Sequence, residues 1–260
     1  MTPDQIERYA RHLVLKEIGG PGQAALLDAK VVIVGAGGLG GPAGLYLAAA
    51  GVGHITIIDD DDVDLSNLQR QIQFSEDDIK NPKAQSLSKR LSGLNQDVFI
   101  RPVVQKLTQE NAVELLQGHD LILDGVDDFG TRFATNAASL SLNIPLISGA
   151  LGRFKGQISL FNDGPEAPCY RCLVPEIPPD IETCSQVGII GALAGIIGAQ
   201  MAMEAVKYIT KSGESLSGRL YLFDGLKSEN RTLALRKDPA CPACGPTYKA
   251  SPNASSRIKV

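Results

Sequence analysis

The sequence predicts a doubly wound α/β fold in which a mostly parallel sheet carries an antiparallel extension. Two observations predict it. Strand-length apolar runs alternate with helical segments up to residue 150, the rhythm of β-α-β units. A glycine-rich turn, Gly35-Ala-Gly-Gly-Leu-Gly40, joins the first such run to the helix after it.

In chain order, residues 2–28 read as an amphipathic helical segment with Ile6, Leu13, Leu15 and Ile18 among charges, broken at Gly19-Gly-Pro-Gly22. Lys30–Val34 is a continuous apolar run, as expected of a strand buried on both faces. A helix over 39–50 and a second strand, His54–Ile58, complete the unit. Asn81-Pro82 reads as an N-cap followed by proline at the first helical position. Further strands are expected at Val98–Val104, Asp120–Leu123 and Pro145–Ile147, with helices near 108–117 and 131–142.

Beyond residue 150 the rhythm changes. Gln157–Phe161 and Arg219–Phe223 look like antiparallel additions, separated by a stretch with Pro165, Pro168, Pro175, Pro178 and Pro179 that should lack regular structure. Thr183–Met203 carries no charged residue, but its glycines and glutamines dilute it below a membrane span. Glu204 and Lys207 continue the same helical run, so a buried helix is expected. The organisation is therefore one domain, 1–245, with a helical segment (1–28), a nucleotide-binding half (29–150) and a second half (151–245). Residues 246–260 read as a flexible tail.

Composition narrows the function. With 43% hydrophobic and 21% charged residues the chain is globular, and its net charge of −4 advertises no nucleic-acid partner. No apolar secretory region opens the sequence, so a reducing cytoplasm is expected. Five cysteines there read as ligands or nucleophiles, not disulfides.

The glycine turn follows a strand and opens a helix, a Rossmann-like arrangement in which backbone N–H groups meet phosphate. Asp59 ends the second strand, where an acid binds ribose hydroxyls. NAD is the usual ligand of that pattern. The next segment, Asp59 to Gln71, favours a nucleoside triphosphate instead, because an acidic run sits beside Ser66, Asn67, Gln69 and Arg70, with Lys83 beyond. A triphosphate that loses pyrophosphate needs cations and a metal-binding acid. Asp124, Asp127 and Asp128, at the end of a later strand, suit that metal.

Two C-x₂-C pairs, Cys169/Cys172 and Cys241/Cys244, have ligand spacing for tetrahedral Zn²⁺ and would clip two distant segments together. With four protein ligands the role would be structural. Paired redox cysteines are the competing reading, weakened because neither pair reads as opening a helix after a strand.

The motifs Gly-x-Gly-Gly-Leu-Gly, Leu65-Ser-Asn-Leu-Gln-Arg-Gln71, Asn81-Pro-Lys83, Cys169-Tyr-Arg-Cys172 and Cys241-Pro-Ala-Cys244, in that order, resemble the MoeB/ThiF/HesA family, bacterial relatives of the ubiquitin-activating enzymes. The resemblance implies a homodimeric adenylyltransferase with a structural zinc. It would use ATP and Mg²⁺ to activate the C-terminal Gly-Gly carboxylate of a ubiquitin-like sulfur carrier for molybdopterin or thiamine synthesis, with a persulfide donor to follow. It assigns ATP to Gly35, Gly37, Gly38, Gly40, Asp59, Ser66, Asn67, Leu68, Gln69, Arg70, Lys83, Asp127 and Asp128, with Asp127 also on Mg²⁺. Arg11 matches an arginine supplied to the neighbouring subunit's phosphates. Cys184 matches a cysteine that, in the thiamine branch, bonds to the carrier. One departure stands out: the family usually follows its metal Asp with Asn, and this chain has Asp128. The rival functions are an NAD oxidoreductase, a non-catalytic carrier-binding scaffold and a relative that adenylates a tRNA base. His12, His54 and His119 are scattered and read as surface or boundary residues.

Overall fold

The computed structural model describes residues 1–177 and 188–246. One sheet of eight strands organises the chain, in the order β3-β2-β1-β4-β5-β6-β7-β8. Its strands are β1 (Lys30–Val34), β2 (His54–Ile58), β3 (Phe99–Val103), β4 (Leu121–Asp124), β5 (Leu146–Gly152), β6 (Lys155–Phe161), β7 (Arg219–Asp224) and β8 (Glu229–Ala234). The pairings from β3 across to β5 are parallel, and those from β5 to β8 are antiparallel. The predicted class therefore holds, with the change of direction at the β5–β6 hairpin. β8 escaped the sequence reading because its residues are exposed throughout and carry no apolar run.

The helices are α1 (Pro3–Arg8), α2 (Ala10–Leu13), α3 (Gly19–Asp28), α4 (Gly40–Ala50), α5 (Lys83–Leu94), α6 (Ala112–Leu116), α7 (Phe129–Leu142), α8 (Tyr170–Leu173) and α9 (Gly191–Thr210). Side chains alternate across a strand, so Val31 and Ile33 enter a different layer from Val32 and Val34. The first layer packs under α3, α4, α5 and α9, whereas the second meets α6 and α7. Both faces of β1, β2 and β4 are covered, which is why these strands read as apolar runs, whereas edge strand β3 is largely exposed.

Three local expectations need correction. The break in the N-terminal segment lies at Tyr9 and over 14–18, not at Gly19–Gly22, where α3 begins. Pro21 is tolerated there because the first turn has no intrahelical acceptor for its missing N–H. Pro82 is itself the N-cap of α5, so Asn81 lies outside the helix and Lys83 opens it. The proline-rich stretch holds one helical turn, α8, capped by Cys169.

The uncharged stretch becomes the N-terminal part of α9, packed on α4 and on β5 and β6. No helix among the described residues is long and apolar enough to cross a membrane. Within α9, Glu204 is fully buried, bonded by Lys207 at 2.6 Å and by the backbone N–H of Leu216. The glycines serve close approach: a Cβ at Gly198 would lie 2.7 Å from the Leu39 carbonyl oxygen and 3.0 Å from Pro42. Gly198→Ala is expected to push α9 off α4 and to destabilise the protein by roughly 1–3 kcal/mol. Denaturant unfolding checks this through a lower midpoint at unchanged slope.

Candidate functional site

In an open parallel sheet, ligands bind beyond the carboxyl ends of the strands, where the order reverses. Here the reversal lies between β1 and β4, neighbours whose chain continues outward in opposite directions. The loop after β1 holds Gly35, with φ +90°, and Gly40, whose added Cβ would fall 1.8 Å from the Gly35 carbonyl oxygen. Only glycine closes this turn. Gly35 also abuts Gly125 and Val126, so the loop after β4 lies against the loop after β1.

Asp59, next after β2, fastens to the same loop. Its carboxylate accepts N–H bonds from Ala36 at 2.7 Å and Asp61 at 2.9 Å. Burial pushes its pKa up, while these two donors and the charge of Lys83 pull it back. Lys83 is buried at the start of α5, and its ammonium meets the exposed Asp61 at 2.7 Å. The segment between them forms a short 3₁₀ turn, Leu65–Asn67. Asn67 accepts the Asp64 N–H, and Arg70 reaches back to the Ser66 carbonyl at 3.0 Å. Gln69 and Arg70 back onto the start of α9, since a Cβ at Gly191 would strike the Gln69 carbonyl. A Cβ at Gly38 would lie 3.6 Å from the Arg70 carbonyl oxygen. Thus Gly35, Gly37, Gly38, Gly40, Asp59, Arg70 and Asp127 stand on adjoining loops, and Lys83 joins them through its charge on Asp59.

The three acids after β4 separate into three roles. Asp124 is fully buried and is bonded by Arg132 at 3.2 Å and Ser148 at 2.8 Å, so it is no metal ligand, against expectation. Burial pushes its pKa up even against the pull of Arg132. Asp128 caps α7 by accepting the Thr131 N–H at 2.8 Å. Asp127 is exposed and, among the described residues, neither hydrogen-bonded nor ion-paired. Its carboxylate fits a hard divalent cation that prefers oxygen ligands.

Arg11 stands apart. Its neighbour Tyr9 accepts a bond from Asn95 at 2.9 Å and packs on Gly51, while His12 meets Gln23, which donates to the Ala50 carbonyl. Both anchors are at the carboxyl end of α4, roughly 16 Å from the glycine loop at 1.5 Å per residue. The other histidines are structural or exposed: His119 contacts Thr56 and Leu116, and His54 faces solvent. Cys184 lies outside the described residues.

Sequence reasoning missed Arg132, Ser148 and the buried glutamines Gln71 and Gln73. Arg132 bonds Asp124, Ser148 and the carbonyls of Val126 and Gly149, and its guanidinium lies 5.7 Å from the Tyr170 ring centre. Arg132, only four residues past Asp128, still gives no signal until the fold closes around it.

The second cluster is the four cysteines. Their sulfurs all lie within 4.8 Å of one another, with pairs at 3.4, 3.6 and 4.0 Å. Tetrahedral thiolates about 2.3 Å from one metal would stand roughly 3.8 Å apart, so the set fits Zn²⁺. Backbone N–H groups of Asp238 and Ala243 point at Cys172 and Cys241, as outer partners of metal thiolates do. Burial pushes the thiols of Cys169 and Cys244 up, the latter to about 11. At Cys241 the effect of burial is outweighed by N–H bonds from Ala243 and Cys244, and that thiol's pKa is lowered.

A model of the ThiF family matches residues 9–243. The chain belongs to the ThiF family. Relatives at similar identity span nearly the whole chain. The sulfur carrier protein ThiS adenylyltransferase of Escherichia coli is 44% identical over 94% of this chain and 97% of its own length. The SAMP-activating enzyme E1 of Haloferax volcanii is 43% identical over 93% of this chain and 89% of its own. Among solved structures, E. coli MccB with ATP superposes with a TM-score of 0.79 at 22% identity, covering 91% of this chain and 74% of that one. That likeness establishes the shared fold.

Elemental analysis is expected to find one zinc per chain, and Cys172→Ala to lose it. Losing a four-ligand clip should cost about 3 kcal/mol, a fall in Tm on the order of 10 °C for a chain of this size. A metal-free parent of unchanged stability would contradict the assignment.

Proposed function

We propose that this ThiF-family chain adenylates the C-terminal Gly-Gly carboxylate of a ubiquitin-like sulfur carrier, consuming ATP and releasing pyrophosphate. The observation that carries the proposal is the convergence of the glycine loop, Asp59, Arg70, Lys83 and unpaired Asp127 at the carboxyl edge of the sheet, in a chain 44% identical to a ThiS adenylyltransferase.

The carrier's carboxylate oxygen attacks the α-phosphorus, the bond to the bridging oxygen breaks, and pyrophosphate leaves with that electron pair. An acyl-adenylate remains, open to a persulfide donor with AMP as the leaving group. In this reading Asp59 binds the ribose, with Ser66, Asn67, Leu68 and Gln69 framing the nucleotide. Glycine-loop N–H groups, Arg70 and Lys83 neutralise phosphate charge, and positioning supplies most of the rate. Asp127 would hold Mg²⁺, which supplies further neutralisation of the leaving pyrophosphate when bound.

The carrier would approach over the antiparallel half. A cavity of about 530 Å³ there is lined by Gly152, Lys155, Gln157, Phe223, Asp224 and Arg231, among others. The pairings Gly152↔Lys155 and Lys155↔Asp224 lie on the same edge of the sheet as the end of β4, so an extended tail there would lead toward Asp127. A second copy of the chain is part of the proposal. Ile196 and Met203, one heptad apart on α9, are exposed, as are Tyr46, Ile72 and Leu65 near it in the fold. The four unpaired thiols suit a reducing cytoplasm.

Radiolabelled pyrophosphate should exchange into ATP only with a carrier ending in Gly-Gly, and no nicotinamide-dependent reduction is expected. Asp127→Ala should lower exchange at least about 100-fold, since loss of the cation it would hold removes one electrostatic stabiliser of the leaving pyrophosphate, and losing one such stabiliser of a transition state costs ~2.7–4 kcal/mol. Cys184→Ser should leave exchange intact and affect only the later sulfur step.

Because the contacts of Tyr9 and His12 hold its segment at the carboxyl end of α4, the end away from its own glycine loop, Arg11 is proposed to serve the partner's phosphates. Arg11→Ala and Asp127→Ala should each be inactive, yet a mixed dimer of the two should regain one working site. Co-expression with two tags and the exchange assay test this. A verified mixed dimer without activity would place the arginine elsewhere.

A further inference from the structure

We propose that Gln73 is a positioning residue for the phosphate loop, aiming backbone donors at the nucleotide without touching it. This rests on the reading of the glycine loop as an ATP site. The side chain is 5% exposed, and its Nε2 donates to the carbonyls of Ala36 at 2.8 Å and Gly37 at 3.1 Å. Chemistry fixes the amide orientation: reversed, it would set Oε1 against two carbonyl oxygens.

A trans peptide points its N–H away from its C=O. Holding the carbonyls of Ala36 and Gly37 toward Gln73 therefore turns the N–H groups of Gly37 and Gly38 to the other side of the loop. Among the described residues those two N–H groups donate to no protein acceptor, so they are left for an incoming anion. The Gly37 carbonyl also accepts the N–H of Gly41, so Gln73 shares an acceptor with the first turn of α4. Room for the amide is made by Gly41, where a Cβ would lie 2.2 Å from the Gln73 Cδ.

The amide is held at a cost. Among the described residues Gln73 Oε1 is buried without a hydrogen-bond partner, an expense a purely packing side chain such as leucine would avoid. A polar group retained under those terms is serving its two bonds to the loop.

The test compares the full-length parent with Gln73→Leu, Gln73→Met and Gln73→Glu for equilibrium binding of ATP, for KM and kcat in pyrophosphate exchange, and for Tm. Leucine and methionine fill the space but donate nothing. Both are expected to weaken ATP binding and raise KM about tenfold, with kcat within about twofold and Tm unchanged or raised. Gln73→Glu has a signature that packing alone would not give. Its carboxylate repels the two carbonyls, whereas the protonated acid can donate one bond, so its ATP affinity should rise relative to the parent as pH falls. Equal ATP affinity in the parent and in either apolar variant, or a Glu variant whose affinity ratio ignores pH, would overturn the role of Gln73. If Gln73→Leu does not fold, Gln73→Met and the pH profile decide. A parent that binds no ATP would instead sink the nucleotide reading of the whole loop.

Discussion

A buried ion pair, Arg132 with Asp124, ties together the parts that have to stay in register. Taking both charges out of water costs several kcal/mol, and the pair persists only where every polar atom is answered. Here the answers come from across the fold. Ser148 on β5 bonds both partners, the Val126 N–H donates to Asp124, and the Val126 and Gly149 carbonyls accept from Arg132. The end of β4, the first turn of α7, β5 and the loop bearing Asp127 are thus held by one network. Tyr170, beside the guanidinium, extends it to the cysteine cluster, for the next residue back is Cys169. The four-cysteine cluster and the loop bearing Asp127, far apart in sequence, share a buried junction.

The sheet divides labour along its width. Its parallel half needs helices on both faces, and those helices bring the loops that surround the glycine turn. The antiparallel half pairs by hairpins, so β7 and β8 add width without adding crossovers. β8 is exposed along its length and carries Glu229 and Arg231, charges that protect an edge strand from unwanted pairing. That leaves a broad surface beside the reaction edge. A macromolecular substrate needs such a surface, whereas a small one does not.

Legibility followed sequence distance. The β-α-β unit and the glycine turn were readable because their signals are local: an apolar run, a glycine-rich turn and a helix-length segment. The cysteine pairs were readable because metal geometry fixes their spacing. Residue type alone did not separate Asp124 from Asp127, which only the family resemblance singled out; the burial of β4 and the arrival of Arg132 and Ser148 assign one to the core and the other to solvent. Gln73 was hidden for a related reason: its partners, Ala36 and Gly37, lie more than thirty residues upstream. The shift of the N-terminal break had another cause. Gly19–Gly22 has the composition of a turn, but packing of Leu26 into the core and of α3 against α9 overrides that weak local preference.

Asp128 shows how one added charge can be accommodated at such a site. An asparagine there could cap α7 with the same oxygen, so the cap alone does not ask for a carboxylate. The negative charge gains from the helix N-terminus, where the backbone dipoles favour it. It also acts on its surroundings, opposing ionisation of the buried Asp124. Arg132 feels Asp124 and Asp127, and its own pKa is raised in spite of burial. The guanidinium therefore answers one buried carboxyl group, Asp124, and feels one exposed one, Asp127. Placing the extra charge on a helix cap, already bonded to Thr131, leaves Asp127 the exposed acid that has no hydrogen bond or ion pair among the described residues.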